Sequence, residues 1–381
     1  MGTRSEQPFW ADRNAFLATG NRSDARCGFN YGRSPATMEL PLSAVRVTTL
    51  VGSSFMSLRL SITLSGLLLL SIGLVGCSNQ VPVNGTLVEE EIVEKLLGAP
   101  DRLSVLVKQT PDGNYSPVGN GVRRAIVKTR MPNGGTMTLW VYQPDSIPGG
   151  KLPCVFIAPA NTRMVHGSDL KKGSENEHIP WAQAGFAVVA YELSGDPGSD
   201  DASNGQLQLA AEEFRAAKSG LLNAQIAMAY AKEKLSFVDS RRFYTVGYDS
   251  AGTMALYVAE MDPQVKASVA LMPAVDVRAW LGVQGMTKIQ RNNIVPDAGA
   301  YVSKISPATH IARLSQPTFL LYMGNDDKSN WGPAEQFAKQ MQDLGKDITV
   351  VKIPTGKRYE TMIEEAIPLA IQWLKMVDSM N

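Results

Sequence analysis

Histidine and cysteine are both scarce in this chain, three of each in 381 residues. Cys27 and Cys77 lie near the N-terminus and Cys154 stands alone in an apolar stretch, so no disulfide framework staples the rest of the chain. A lone cysteine in such a stretch reads as core. Charge of one sign is missing as well. The 37 Lys+Arg meet 36 Asp+Glu, a net charge of +1, which excludes the basic footprint of a nucleic-acid binder and gives no sign of an acidic polymer as partner. The scarcity of histidine also limits the chemistry. His166 and His178 can be drawn together with Asp169, Glu175 and Glu177 as a metal cluster, but these residues lack metal-ligand spacing. No metal and no cofactor are therefore expected, and a surface loop or helix start is the plainer reading of residues 166–178. There is no internal repeat and no low-complexity tract.

What is present begins with one uncharged, Leu-rich run, Leu60 to Val75, preceded by the short positive region Met56-Ser57-Leu58-Arg59. The run is short for a membrane span and suits the core of a signal peptide. It closes on Leu74-Val75-Gly76-Cys77, which resembles a bacterial lipobox; that resemblance implies lipidation of Cys77 as the mature N-terminus and a protein tethered to a membrane outside the cytoplasm. A plain signal peptide or a membrane anchor is the alternative. Residues 1–55 then read as an over-extended start ahead of Met56, or as a long n-region. Residues 56–76 are the signal peptide, 77–119 a tether with a helix at Leu87 to Leu97, and 120–381 the folded domain.

Within that domain, Arg123 to Met131 and Thr136 to Gln143 alternate as strands about the turn Pro132-Asn133-Gly134-Gly135. Pro153 to Ala158 and Phe186 to Leu193 are continuous apolar runs, as buried parallel strands require. Helical and strand patterns then alternate: helix Leu207 to Lys234, strand Phe243 to Val246, helix Thr253 to Glu260, strand Val265 to Met272. An irregular stretch, Trp280 to Ser306, precedes strand Thr318 to Met323, helix Pro333 to Leu344, strand Ile348 to Ile353 and helix Met362 to Val377. This order predicts an α/β fold with a mostly parallel sheet covered by helices on both faces.

The most informative stretch is Phe243-Tyr244-Thr245-Val246-Gly247-Tyr248-Asp249-Ser250-Ala251-Gly252. A strand runs into a small-x-nucleophile-x-small turn and then a helix, the setting of a nucleophile elbow. Counted from Gly247, the nucleophile position falls on Asp249, with Ser250 one place late. Together with Trp181 to Ala190, Asp262 to Ala267 and Gly324-Asn325-Asp326-Asp327, the elbow resembles the α/β-hydrolase superfamily, in particular its dienelactone-hydrolase and prolyl-oligopeptidase catalytic-domain branch, over about residues 120 to 378.

The resemblance implies a nucleophile, an acid and a histidine in that chain order. The acid position is filled by Asp327, with Asp326 as alternative. The nucleophile position holds Asp249 where the family has Ser or Cys, and the histidine position after Val350 to Ile353 holds Arg358, which stays protonated and cannot serve as a base. The oxyanion hole would draw on the N–H of Ser250 and that of Ala160 or Asn161, since Pro159 has none. Asp attack without a histidine should stall at the ester. Asp249 and Arg358 would instead form a charge-assisted pair, with Asp327 as a second partner for the guanidinium. The expectation is a hydrolase-like protein with a degenerate site that binds a small ester, peptide or glycan-derived ligand or acts structurally. The alternative is an esterase or peptidase with Ser250 or Asp249 as nucleophile and His166 or His178 as base; His310 reads as structural.

Overall fold

A computed structural model describes residues 114–380 apart from 133, 148, 161, 200 and 325–330. Cys77, the lipobox and the helix expected at Leu87 to Leu97 lie outside the described residues, as do Asn161, Asp326 and Asp327.

Nine strands form a single sheet in the order β1-β2-β3-β5-β4-β6-β7-β8-β9. The first three, β1 (Ser116–Gly119), β2 (Val122–Arg130) and β3 (Thr136–Pro144), pair antiparallel, and β3 joins β5 (Ala187–Tyr191) in the same sense. The remaining pairs are parallel: β4 (Leu152–Ile157) beside β5 and β6 (Val238–Tyr248), then β7 (Val265–Leu271), β8 (Thr318–Met323) and β9 (Ile348–Ile353). The mostly parallel sheet is as the sequence predicts. β1 is an addition, a strand in the stretch read as tether.

Strand alternation divides the interior into two cores. Cys154, Phe156, Ala187, Val189 and Phe243 face one side, where α2 (Asn204–Ala216), α3 (Leu221–Lys234) and α4 (Ser250–Met261) cover them. Val155, Ile157, Val188, Tyr244 and Val246 face the other, under Trp181 of α1 (Glu175–Gln183) and Trp373 and Leu374 of α10 (Ile367–Met380). Both faces are apolar, so the central strands read as unbroken hydrophobic runs rather than alternating ones. Cys154 is fully buried and free, and burial pushes its thiol well up.

Three expectations are corrected here. The single helix read over Leu207 to Lys234 is two helices, α2 and α3, because Lys218, Ser219 and Gly220 all take positive φ and reverse the chain between them. Gly220, at φ +89°, is wedged against Met254 and Leu193, where a Cβ would lie 2.7 Å from Met254 Cε. The stretch Trp280 to Ser306 is largely helical, with α5 (Val277–Arg291, kinked at Gly282) and α6 (Ala298–Lys304), followed by the short α7 (Pro307–His310). The helix start near His178 is a full helix, α1, with Pro180 inside it. After β8 come α8 (Gly332–Asp343), the short α9 (Arg358–Thr361), a π-helical turn over Met362–Ala366, and α10.

The chain passes from β4 outward to β5 and returns through α2 and α3 to β6 on the far side of β4. This reversal of strand order is a topological switch point, and doubly wound sheets hold their ligands outside the carboxyl ends of the strands at such a point.

Candidate active site

The loop after β6 turns within one residue. Asp249 takes φ 55° and ψ −125°, and Ser250 already begins α4. That turn is possible only because Gly247 has no side chain: a Cβ there would lie 2.2 Å from the carbonyl oxygen of Ala251. The Asp249 N–H donates to Leu271 O at 2.9 Å, tying the elbow to the end of β7. Asp249 therefore stands at the apex. At ψ −125° the backbone lies outside the left-handed helical region, so the turn holds Asp249 in a sparsely populated conformation.

Arg358, at the start of α9 after β9, reaches the apex. Its Nη2 donates to Asp249 Oδ1 at 2.8 Å and to Met272 O at 3.1 Å, and its guanidinium carbon lies 5.5 Å from the Tyr248 ring centroid. The Arg358 and Asp249 side chains are 11% and 18% exposed, so the pair is largely screened from water. The structure thus brings together the residues at the nucleophile and histidine positions, and it does so as an ion pair. The second arm of the expected cluster, Asp327, lies outside the described residues.

Ser250 is placed differently. It is fully buried, and its Oγ accepts a hydrogen bond from the Thr162 N–H at 3.1 Å. Thr162 in turn donates through Oγ1 to His166 O at 2.5 Å and accepts from the Met164 N–H at 3.0 Å. Ser250 is thus a pin between α4 and the loop after β4. The N–H of Ser250, at the first turn of α4, has no acceptor within its helix. Ala160 is half-buried and packs against both cores.

Neither imidazole of the loop region bonds to the elbow. His166 Nδ1 pairs with Gly167 O at 2.7 Å, and burial lowers its pKa. His178 Nδ1 pairs with the Tyr142 hydroxyl at 3.2 Å, wedged against the rings of Tyr142 and Trp140, and burial holds its pKa down to about 3. The reading of His178 as a surface residue is corrected: it is a neutral core histidine. His310 Nε2 pairs with Lys304 O at 2.7 Å beside the Tyr257 ring. Among the described residues, no three of His, Cys, Asp and Glu group closely enough to hold a metal ion.

Sequence reasoning missed the neighbours of the ion pair. Tyr248 and Tyr359 meet edge to face with centroids 6.3 Å apart. Loss of water raises the Tyr359 hydroxyl above its usual pKa, and the charge of Glu177 on α1 adds to that. Glu177 itself has its carboxyl pushed up to about 7, first by loss of water and then by the charge of Asp249. A helix of nine residues carrying a central proline gave little pattern from which to place these side chains over the elbow.

The sheet order and the elbow after β6 give this chain an α/β-hydrolase fold. The chain matches the model of the prolyl oligopeptidase family over residues 174–358, a stretch that begins just before α1 and ends on Arg358. Among solved structures, acetyl xylan esterase 1 from a Thermoanaerobacterium species is similar at 16% identity and TM-score 0.53, over 75% of this chain and 94% of that one. The acylaminoacyl peptidase of Pyrococcus horikoshii is similar at 16% identity and TM-score 0.53, over 67% of this chain and 42% of that one. A puromycin hydrolase variant is similar at 15% identity and TM-score 0.54, over 70% of this chain and 41% of its own length. The chain therefore spans well under half of each of those two hydrolases. No curated protein sequence matches it.

Proposed function

We propose that this chain is an α/β-hydrolase-fold lipoprotein of the cell envelope, anchored through Cys77, in which an ion pair has replaced serine-hydrolase chemistry and left a ligand-binding pocket. The observation that carries this reading is the 2.8 Å bond between Arg358 and Asp249, made from the positions that hold the base and the nucleophile in an active member of the fold. An aspartate neutralised by a guanidinium is a poor nucleophile. A guanidinium cannot accept the proton of a hydroxyl or of an attacking water. Ser250 lacks both exposure and a base, because its hydroxyl is spent on Thr162 and both nearby histidines are engaged elsewhere.

The similar structures are named for acetylated xylan and acylaminoacyl peptides, and these guide the proposed ligand class: a small ester, a peptide or a glycan-derived fragment. The anchoring part rests on residues 56–77 alone. Labelling with a fluorophosphonate probe tests the loss of chemistry. The native chain should remain unmodified by intact mass, and a stoichiometric adduct on Ser250 would overturn the reading.

A further inference from the structure

A cleft of about 680 Å³ lies between α2, α4 and the stretch that runs from the end of α5 into α6. That is the size of pockets that enclose small organic ligands. None of Asp249, Ser250 and Arg358 lines it, so it is a place apart from the elbow.

Its walls are tied together. Gln208, Glu212 and Arg215 line it from one face of α2, at the spacing of successive helical turns. Gln208 Nε2 donates to Asn292 O at 2.9 Å, and Asn292 Nδ2 donates to Asn204 Oδ1 at 3.2 Å, which joins α2 to the chain leaving α5. The inner surface is fixed as well. The Tyr301 hydroxyl donates to Met164 O at 3.2 Å and lies 3.1 Å from Ser219 Oγ, whose hydrogen it accepts. Tyr301, Tyr257 and Ile294 are all buried, so the interior offers ring and aliphatic surface already held in place.

The charges decide what fits there. Arg215, Lys218 and Lys304 line the cleft against the carboxylate of Glu212, an excess of two positive charges in a chain whose net charge is only +1. Lys218 is brought there by an uncommon backbone, since it and Ser219 take φ 53° and 55° in succession. Lys304 ends α6, where its carbonyl accepts from His310 Nε2 at 2.7 Å. A cationic ligand would meet three like charges, whereas a carboxylate or phosphate matches the fork of a guanidinium.

We propose that this cleft binds a small organic anion, its carboxylate or phosphate group met by Arg215, Lys218 and Lys304 and its apolar body laid on Tyr257 and Tyr301. The site is independent of whether the elbow turns over an ester.

Calorimetry on the full chain with phenyl phosphate, benzoate, benzyl alcohol and benzylamine at one ionic strength tests the proposal, since these probes share a ring and differ in charge. Phenyl phosphate or benzoate should bind saturably, at least ~10-fold more tightly than the alcohol and the amine. The tighter of the two anions tells which group, phosphate or carboxylate, the cleft selects. Arg215→Gln/Lys304→Gln changes only exposed side chains and should lose ~10-fold or more of the affinity with an unchanged urea midpoint. Lys128→Gln/Lys232→Gln removes the same charge away from the cleft and should keep the affinity. Equal or better binding of benzylamine, no saturable binding of either anion, or equal affinity in the two double variants would overturn the proposal.

Discussion

Arg358 and Asp249 hold one another at the place where a hydrolase of this fold does its chemistry, and the pair is screened enough for either partner to be costly when alone. Arg358→Ala should destabilise the chain by about 1–3 kcal/mol in urea unfolding, with Asp249→Ala adding much less than its own cost in the double variant, since neighbours in one ion pair do not add. A coupling near zero would show the pair to be incidental. Two titrating neighbours act in opposite directions. The Glu177 carboxyl is raised from 4.5 to about 7, so the folded chain holds a proton that the unfolded chain has given up, and stability falls as pH rises through that window. The His178 pKa is lowered from 6.5 to about 3, so the unfolded chain takes up a proton first, and stability falls as pH drops through that range. Glu177→Gln should therefore be more stable than the native chain at pH 8 by about 1–3 kcal/mol and nearly equal at pH 5, as measured by urea midpoints. A constant difference across pH would contradict the assignment.

The elbow shows how far an element can be read from the chain. Gly247 and Ala251 around Asp249 placed the turn correctly, because a one-residue turn between a strand and a helix demands small residues where the two backbones touch. Gly247→Ala would push a Cβ to 2.2 Å from Ala251 O. The expected result is a loss of about 3 kcal/mol or more, or failure to fold, seen as insoluble expression or a collapsed urea midpoint. The strands β8 and β9 were legible to the residue, β8 as a buried apolar run and β9, at the sheet edge, as a short run rich in β-branched residues. The break between α2 and α3 was not. Lys218 and Ser219 have no preference for positive φ, and only packing of Gly220 against Met254 and Leu193 imposes it. The helices α5 and α6 were hidden for a related reason: the kink at Gly282 and the positive φ at Asp297 interrupt the apolar period. α1 was hidden by Pro180, and with it the approach of Glu177 to the elbow.

For the molecule as a whole, the β4–β6 reversal of strand order puts the elbow where doubly wound sheets bind their ligands, and the family match from residue 174 to Arg358 spans both halves of the ion pair. Asp249 and Arg358 were picked out by their spacing from recognisable strands, and the structure pairs them. The partners around them were not, because contacts between α1, the elbow and α9 join residues far apart in the chain. The proposed anchoring rests on residues 56–77, which lie outside the described residues. Among the described residues no helix is long and apolar enough to cross a membrane. Cys77→Ser should move the expressed chain from the membrane fraction to the soluble one, and an unchanged distribution would show that Cys77 is not the anchor. The central claim, that Asp249 and Arg358 have replaced the groups of a serine hydrolase, is tested most directly by turnover of a p-nitrophenyl ester panel, comparing the native chain with the Asp249→Ser/Arg358→His double variant. The account predicts a silent native chain and measurable turnover in the double variant; turnover by the native chain that survives Asp249→Ala would contradict it.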